Sequence, residues 1–265
     1  MTATFLTAAI ALLAATSTLT AREPQQQPGI DLRVVRVAAA ADLKFALDAV
    51  AARLAAARPP LKVEAAYGSS GTMHAQLRQR APYDVFLSAD IEYPRDLVAK
   101  GIGSSADLFT YARGRIVVWV RAGSRLPIER DGLGALTAAG RVAIANPRHA
   151  PYGRAAEAAM RHAGVYERVR AQLVLGENVS QAAQFVQSGA AGAGIIAKSL
   201  VAAPPLRASG RWWEVPEEMY PPLTQGGLIL PWATSRAAAL QLRDFLLGTD
   251  GRQLLADYGF GLPRP

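Results

Sequence analysis

Short apolar segments alternate with helical patterns along most of this chain, and that alternation limits the possible folds more than any other feature. Val34–Ala40 is an almost unbroken apolar run, as expected of a parallel strand that is buried on both faces. Apolar residues at helical spacing follow from Leu43 to Leu54, and Pro59 and Pro60 end that helix. Strands that alternate with helices of about ten residues predict parallel α/β sheets.

The same alternation continues to the end of the chain. Further strands are predicted at Val63–Tyr67, Asp84–Ser88, Ile116–Val120, Val142–Ala145, Gly194–Ala197 and Gly227–Leu230. Further helices are predicted at Met73–Arg80, Ile91–Lys100, Gly153–Ala163, Val179–Ser188, Ser235–Leu247 and Gly251–Tyr258. The length fits two lobes of about 110 residues each, which is what we expect. The sequence shows no internal repeat and no long linker. The first lobe would comprise residues 33–112 and 225–265 and the second residues 113–224, with crossings near Tyr111–Gly114 and Pro221–Gly226.

The first 21 residues have the pattern of a secretory signal. Phe5–Ala15 is an apolar run that is too short to span a bilayer, which takes about 20 residues. A stretch rich in Ser, Thr and Ala follows and ends at Ala21, where we place the cleavage site, and residues 22–32 then form a linker. The pattern departs from the usual one because no Lys or Arg precedes the apolar run. We therefore expect an extracytoplasmic protein, periplasmic or otherwise exported.

The composition narrows the possible chemistry. The chain has no Cys, which excludes disulfides, Cys-ligated metals and thiol nucleophiles. Three His leave little for a histidine metal site, and we expect no metal site and no cofactor. The formal net charge is +8, but the Arg residues are scattered and form no dense basic segment, so we expect no nucleic-acid partner. A solvated Arg-rich surface, which would help to attract a small anion, is the favoured interpretation.

Four turns between a predicted strand and the next helix carry the polar residues that a ligand would meet. They are Ala40–Leu43, Gly68–Thr72, Asn146–Gly153 and Glu177–Ser180. In open α/β sheets, ligands bind at the carboxyl ends of strands, and helix N-termini offer free N–H groups and partial positive charge to anions. Each turn taken alone also has an ordinary structural interpretation; Asp42, for example, stands where a helix N-cap is expected.

Enzyme motifs do not match these turns. Gly68–Thr72 is not a G-x-S-x-G sequence, because Thr72 takes the place of the last glycine. No G-x-x-x-x-G-K-[ST] phosphate loop occurs, and the glycines of Gly192–Ala197 precede a predicted strand instead of following one, which argues against a dinucleotide site. Ser70 and His74 are four residues apart and leave a serine hydrolase as an alternative.

The chain contains, in this order, the segments VAAAADL, YGSSGTMHAQL, APYDVFLSAD, VAIANPRHAPYGRAAEAAM, ENVSQA, AGAGIIA and DGRQLLADYGF. In order and spacing they resemble the periplasmic molybdate-binding proteins of ABC transporters, from about Arg33 to Pro263. The resemblance implies a type II periplasmic-binding-protein-like α/β fold, with two lobes of mostly parallel sheet flanked by helices and a ligand cleft between them. It also implies a monomeric receptor, not an enzyme, that binds molybdate or tungstate and delivers it to a membrane permease.

The resemblance also assigns ligand-binding residues. Ser70 matches the hydroxyl donor of the second turn, and Ser69 lies beside it. Tyr152 and Val179 match positions that bind the anion through backbone N–H groups. Asp42 stands where many members of the family have a hydroxyl donor. In this family, hydroxyls and N–H groups hold a tetrahedral oxyanion without a salt bridge to Arg or Lys.

Asp42 is the main departure from the family pattern. An ionised carboxylate only accepts hydrogen bonds and repels a dianion. Either the side chain caps the helix and leaves the N–H groups of residues 42–44 to bind, or the specificity differs; Lys44 could offset the charge. Ala197 is a second departure, because some members carry a tyrosine there, and the Tyr152 hydroxyl is a candidate replacement.

Three other functions stay open at the level of the sequence. The nearest is a receptor for sulfate, phosphate or another small anion, since Asp42 would accept a hydrogen bond from a protonated anion such as hydrogen phosphate. An effector-sensing domain of a transcription regulator would share the two-lobed architecture. Such proteins carry a basic N-terminal helix-turn-helix, and the signal-like apolar run at this position argues against one. The third is a hydrolase that uses Ser70 and His74.

Overall fold

The computed structural model describes residues 33–263, so the predicted signal (residues 1–21) and linker (residues 22–32) lie outside the described residues. Two five-stranded sheets form the centre of this part of the chain. The strands are β1 (Val34–Ala40), β2 (Lys62–Gly68), β3 (Val85–Ser88), β4 (Leu108–Gly114), β5 (Ile116–Arg121), β6 (Val142–Ala145), β7 (Leu173–Gly176), β8 (Ala193–Ala197), β9 (Gly210–Glu214) and β10 (Leu223–Ile229).

Helices flank both sheets. The α-helices are α1 (Lys44–Ala55), α2 (Ser70–Arg78), α3 (Glu92–Ala99), α4 (Ile128–Asp131), α5 (Pro151–His162), α6 (Tyr166–Val169), α7 (Val179–Ser188), α8 (Lys198–Ala202), α9 (Pro204–Arg207), α10 (Arg236–Leu247) and α11 (Thr249–Asp257). Short 3-10 helices lie between them, and one of these, Ala41–Leu43, joins β1 to α1. Within residues 33–263, no helix has the length and the apolar character that crossing a bilayer requires.

Each sheet contains one strand that runs against the other four. The first sheet has the order β2-β1-β3-β10-β4, and β10 is antiparallel to both neighbours. The second has the order β7-β6-β8-β5-β9, and β5 is the antiparallel strand. The chain enters the second sheet through β5 and returns to the first through β10, so neither strand needs the helical crossover that joins parallel neighbours. The two-lobed α/β fold is confirmed, with mixed sheets.

The sequence pattern misses three strands, β4, β7 and β9. All three lie at an edge of their sheet. Every residue of β9 and most residues of β7 are partly exposed. An edge strand is not enclosed on all sides, so it does not need the unbroken apolar run that marks an inner strand.

The chain passes from the first sheet to the second through Arg115 and returns between β9 and β10. We use "first lobe" for the β2-β1-β3-β10-β4 sheet with its helices and "second lobe" for the β7-β6-β8-β5-β9 sheet with its helices. The domain boundaries given above from the sequence stay a prediction.

Asp42 is not the helix N-cap that its position suggests. It is the second residue of the 3-10 helix Ala41–Leu43, whose N-cap is Ala40, and its side chain caps neither that helix nor α1, which begins at Lys44. The side chain is buried instead. This correction matters for the site, because the carboxyl of a capping residue would be occupied by backbone N–H groups.

Trp119 lies in the middle of β5 and is fully buried in the core of the second lobe. Replacement by Ala removes a large apolar side chain and leaves a cavity, so we expect Trp119→Ala to lower the free energy of unfolding by about 3–5 kcal/mol. The control is Leu175→Ala on the edge strand β7, where the side chain is 48% exposed; it should cost less than about 0.5 kcal/mol. Equilibrium urea denaturation measures both values, and equal costs would contradict the assignment of the core.

Candidate functional site

Four helices begin at one small cavity between the lobes. They are the 3-10 helix Ala41–Leu43 and α2 of the first lobe, and α5 and α7 of the second lobe. The cavity is lined by Ala40, Ala41, Asp42, Gly68, Ser69, Ser70, Ala89, Ala150, Pro151, Tyr152, Asn178 and Val179. The five residues that the sequence assigns to the site, Asp42, Ser69, Ser70, Tyr152 and Val179, are all among them, so the fold brings them together.

Backbone N–H groups are the main donors at this cavity. The first N–H groups of a helix have no acceptor within the helix, and the helix dipole places about half a positive charge at that end. Ser70 is the first residue of α2, Val179 is the first residue of α7, and Tyr152 is the second residue of α5. No Lys or Arg is among the residues that line the cavity. The cavity therefore offers an anion neutral donors from both lobes.

Ser70 adds a hydroxyl donor. The residue is buried, and its Oγ accepts a hydrogen bond from the N–H of Ala89 at 2.9 Å. A hydroxyl both accepts and donates, so this contact leaves the proton of Ser70 for another acceptor. Helix α2 begins at Ser70 and not at the predicted Met73, because Ser69 caps the helix at the earlier position.

Ser69 contributes to the shape of the site and to the contact between the lobes. Its Oγ accepts a hydrogen bond from the N–H of Thr72 at 3.2 Å, which caps α2. The same oxygen lies 2.8 Å from Oγ1 of Thr72 and 2.8 Å from Nδ1 of His149 in the second lobe. With these partners, the Ser69 hydroxyl joins the two lobes next to the cavity.

The carboxyl of Asp42 also joins the lobes. Its Oδ2 accepts hydrogen bonds from the hydroxyl of Tyr152 at 3.0 Å and from Nε2 of Gln225 at 2.6 Å. Nε2 of Gln225 also lies 3.2 Å from the Tyr152 hydroxyl oxygen, to which it donates. Oδ1 of Asp42 is buried and has no hydrogen-bond partner in the part of the chain that the structure describes. Asp42, Tyr152 and Gln225 thus form one buried cluster from the first turn, α5 and β10.

Two expectations about the neighbours of Asp42 do not match this arrangement. The Tyr152 hydroxyl has a single proton and donates it to Asp42, so it does not replace the tyrosine hydroxyl that some family members have at the position of Ala197. Lys44 is paired with Asp48, and its Nζ lies 5.0 Å from the centre of the Tyr67 ring. Lys44 therefore does not neutralise Asp42.

Burial dominates the titration of this cluster. It raises the pKa of Asp42 from 3.8 to about 6, because the charged form loses its hydration, while the hydrogen bonds from Gln225 and Tyr152 act in the opposite direction. Burial, followed by the nearby Asp42 carboxylate, also raises the pKa of Tyr111 and the pKa of Tyr152 well above 10. Both tyrosines are therefore neutral, and Asp42 is the group of this cluster that changes its charge near neutrality.

Further hydrogen bonds between the lobes close the cavity from the second lobe. The hydroxyls of Ser180 and Ser199 donate to the carbonyl oxygens of Ala41 and Asp42, each at 2.8 Å. Gln225 and Ser199 lie outside the four turns that the sequence singles out, and no local motif marks them. Ser180 and His149 lie inside those turns, but their partners Ala41 and Ser69 are distant in the chain, so the sequence does not indicate these contacts.

His74 is paired with Asp96 and not with Ser70. Its Nε2 lies 2.7 Å from Oδ2 of Asp96, and its ring centre lies 5.3 Å from that of Tyr93. The Ser70–His74 pair that the hydrolase alternative requires is not formed. Among residues 33–263, no group of three or more His, Cys, Asp or Glu side chains is placed to hold a metal ion.

A larger cavity of about 400 Å³ lies beside the small one and shares Ala41 and Asn178 with it. Its other walls are side chains of both lobes, among them Lys44, Phe45 and Gln184. The small cavity is the better candidate for an anion, because the starts of four helices meet there. Their free N–H groups can hold an anion without a cationic side chain.

This arrangement, with two α/β lobes and several helices that begin at the cleft between them, is the architecture of solute-binding proteins. The chain belongs to the family of bacterial extracellular solute-binding proteins, whose model matches residues 35–261. The expectation of a binding protein and not an enzyme is confirmed by this membership and by the relatives described next.

The chain is 38% identical over 197 residues to the molybdate-binding protein ModA of Rhodobacter capsulatus, which covers 74% of this chain and 75% of that protein. It is 36% identical over 204 residues to ModA of Azotobacter vinelandii, which covers 76% and 79%. The solved periplasmic molybdate-binding protein of Azotobacter vinelandii matches 87% of this chain and 100% of its own, with 30% identity and a TM-score of 0.79. The resemblance drawn from the sequence is confirmed.

The fold is also shared with a binding protein for another anion. The sulfate-binding protein SubI of Mycobacterium tuberculosis matches 88% of this chain and 88% of its own, with 18% identity and a TM-score of 0.70. The fold alone therefore does not identify the anion.

Gly71 lies in the first turn of α2, directly against the second lobe. Its N–H donates to the carbonyl oxygen of His149 at 2.9 Å, and a Cβ at this position would stand 2.5 Å from that oxygen. The Cβ would also stand 2.9 Å from the hydroxyl oxygen of Tyr93 in the first lobe, but that oxygen is the end of a side chain that can shift, whereas the His149 carbonyl is backbone of the other lobe. Ala is a better helix former than Gly, so the main conflict arises between closed lobes. We expect Gly71→Ala to weaken oxyanion binding by about tenfold or more without lowering the melting temperature of the free protein.

Isothermal titration and scanning calorimetry measure these two quantities for Gly71→Ala. Gln76→Ala, on the exposed face of the same helix, is the control and should change neither. An affinity for Gly71→Ala equal to that of the unmodified protein would show that the lobes need not meet at this point for binding.

Proposed function

We propose that this protein is an extracytoplasmic receptor that binds molybdate, and also tungstate, and delivers it to the membrane permease of an ABC transporter. One observation carries the proposal: four helices, two from each lobe, begin at a single cavity that no cationic side chain lines. The molybdate-binding relatives support the choice of anion. The proposal includes a monomeric protein that is exported by a signal in residues 1–21.

Oriented dipoles would balance the charge of the bound dianion. The donors are the Ser70 hydroxyl and the backbone N–H groups at the helix starts, including those of Ser70, Tyr152, Val179 and the start of the 3-10 helix Ala41–Leu43. The N–H of Lys44 is not among them, because it donates to the carbonyl oxygen of Ala41. A hydrogen bond to a charged group contributes about 1.5–3 kcal/mol, so about five to seven such bonds offset the costs of closing the lobes and of removing water from the anion. Ser69 would hold α2 in position through its cap and its contact with His149.

Binding and closure are coupled in this arrangement, because each lobe holds only half of the donors. An anion that contacts both lobes stabilises the closed state by its differential affinity for that state. The hydrogen bonds of Ser180 and Ser199 to the first lobe then form as well. A permease that recognises the closed surface would receive only loaded receptors, and opening of the cleft would release the anion.

Size would provide selectivity. Helix starts are held by packing against their sheets, so the ring of donors has little freedom to contract. A ring fitted to molybdate or tungstate leaves the smaller sulfate short of some contacts, and each lost contact leaves a buried donor without a partner.

A receptor for a different small oxyanion is the second candidate. It is favoured by Asp42, a carboxylate residue that lines the cavity and whose Oδ1 has no partner among the described residues. An ionised Asp42 would accept a hydrogen bond from hydrogen phosphate, which carries a proton, whereas sulfate has none to give near neutrality.

A melting-temperature screen tests the choice of anion. A ligand that binds only the folded state stabilises it, by about 2.7 kcal/mol at 100 times its Kd, which raises the melting temperature of a chain of this size by about 5–10 °C. We expect shifts of this size with molybdate and tungstate and smaller ones with sulfate and phosphate at equal concentration. A larger shift with phosphate or sulfate would support the second candidate, and no shift with any of the four would overturn both.

Ser70→Ala tests the assignment of the hydroxyl donor. Removal of one hydrogen bond to a charged group should weaken molybdate binding by about 10- to 100-fold, which corresponds to about 1.5–3 kcal/mol. The control is Ser209→Ala, whose hydroxyl donates to the carbonyl of Leu206 outside the cavity and which should bind as the unmodified protein does. Titration calorimetry gives both affinities, and equal values for the two variants would remove Ser70 from the site.

A further inference from the structure

Asp42 is the one carboxylate residue that lines the proposed anion cavity, and its two oxygens differ. Oδ2 accepts two hydrogen bonds, from Tyr152 at 3.0 Å and from Gln225 at 2.6 Å. Oδ1 accepts none from the described residues, although the residue is only 1% exposed. A buried acceptor without a partner is costly, whereas the same oxygen with a proton becomes a donor that the cavity can use.

Among residues 33–263, no cation is hydrogen-bonded to this carboxyl. The titratable side chains nearest to it, Tyr111 of β4 and Tyr152 of α5, are neutral. The neighbour from β10 is the amide of Gln225, and the neighbour from α8 is the hydroxyl of Ser199, which donates to the Asp42 carbonyl.

The lysines next to the cluster in sequence are engaged elsewhere. Lys44 is paired with Asp48, and Nζ of Lys198 lies 2.6 Å from Oε2 of Glu214. An ionised Asp42 and a bound dianion would therefore be like charges in a closed, dry site, with no cationic side chain among the residues that line it.

We propose that Asp42 binds the oxyanion as a neutral carboxylic acid, with its proton on Oδ1 and donated to an oxygen of the anion. This inference rests on the anion site proposed above. In the arrangement of the lobes described here, without an anion, most Asp42 carboxyls are ionised at neutral pH, because burial raises their pKa only to about 6. The proton is therefore taken from solvent when a fully ionised dianion enters, and Asp42 becomes the hydroxyl donor that its position has in other family members.

The pH dependence follows from this proton. Below about pH 6 the carboxyl is already protonated and the affinity is constant; above it, each pH unit lowers the protonated fraction, and with it the affinity, by about tenfold. In this proposal the proton belongs to Asp42 and not to the ligand, and a variant without a titrating group at position 42 distinguishes the two sources.

The test is titration calorimetry of the whole protein with sodium molybdate, in buffers of different protonation enthalpy. For the unmodified protein at about pH 7.5, we expect an uptake of about one proton per molybdate and an affinity that falls about tenfold per pH unit up to about pH 8.5. Asp42→Asn has the same shape and offers an N–H donor without a titrating proton, so it should bind molybdate with no uptake and a flat pH profile. Asp42→Ser, with the hydroxyl of the family, should also show no uptake.

His149 is the control for a second source of the proton, because Nδ1 of its ring lies 2.8 Å from Oγ of Ser69 beside the cavity. His149→Gln should keep the proton uptake and the slope of the unmodified protein. Binding without proton uptake, uptake that persists in Asp42→Asn, or uptake that disappears in His149→Gln would each overturn the inference while leaving the receptor function intact. Absence of binding by any oxyanion would instead be the failure of the proposed function.

Discussion

A doubly negative ion that is enclosed away from water must meet oriented donors on all sides, and this requirement accounts for the architecture of the cleft. A cavity without Lys or Arg can supply such donors only where backbone N–H groups are free, which is at the first turn of a helix. One helix start covers one side of a small anion. Four starts, two from each lobe, would surround an anion in the proposed site, which gives a physical reason for two sheets whose helices begin at facing edges.

Two helix starts at the cleft lie close to neighbouring backbone, and glycines at these contacts make the close approach possible. Gly71 meets the backbone of His149 across the cleft, where a Cβ would stand 2.5 Å from the carbonyl oxygen. Gly153 lets the start of α5 lie against β6, since a Cβ there would stand 2.2 Å from the carbonyl oxygen of Ala145. Helices α2 and α5 therefore begin close to the neighbouring backbone, and their first N–H groups lie at the cleft. The two glycines contribute to the site by allowing this close approach.

Asp42 connects the site with the strands between the lobes. It lies in the first turn, and its carboxyl reaches Tyr152 on α5 and Gln225 on β10, the strand by which the chain returns to the first sheet. The same side chain thus contacts both the second lobe and the return strand, and in the proposed site it would also contact the anion. A hydroxyl of Ser or Thr is too short to make all of these contacts, which gives a physical reason for an acid at this position.

The sequence by itself determined the inner strands, most of the helices after them and the four polar turns, because buried strands and helix starts leave local patterns of apolar residues, glycines and caps. It also pointed to Ser69, Ser70, Tyr152 and Val179, which lie in those turns. Only the tertiary structure decided three of the four edge strands, of which β7 and β9 are partly exposed and leave a weak pattern, and the partners of Asp42. Tyr152 and Gln225 stand 110 and 183 positions away from it, so no local signal records that their side chains meet its carboxyl.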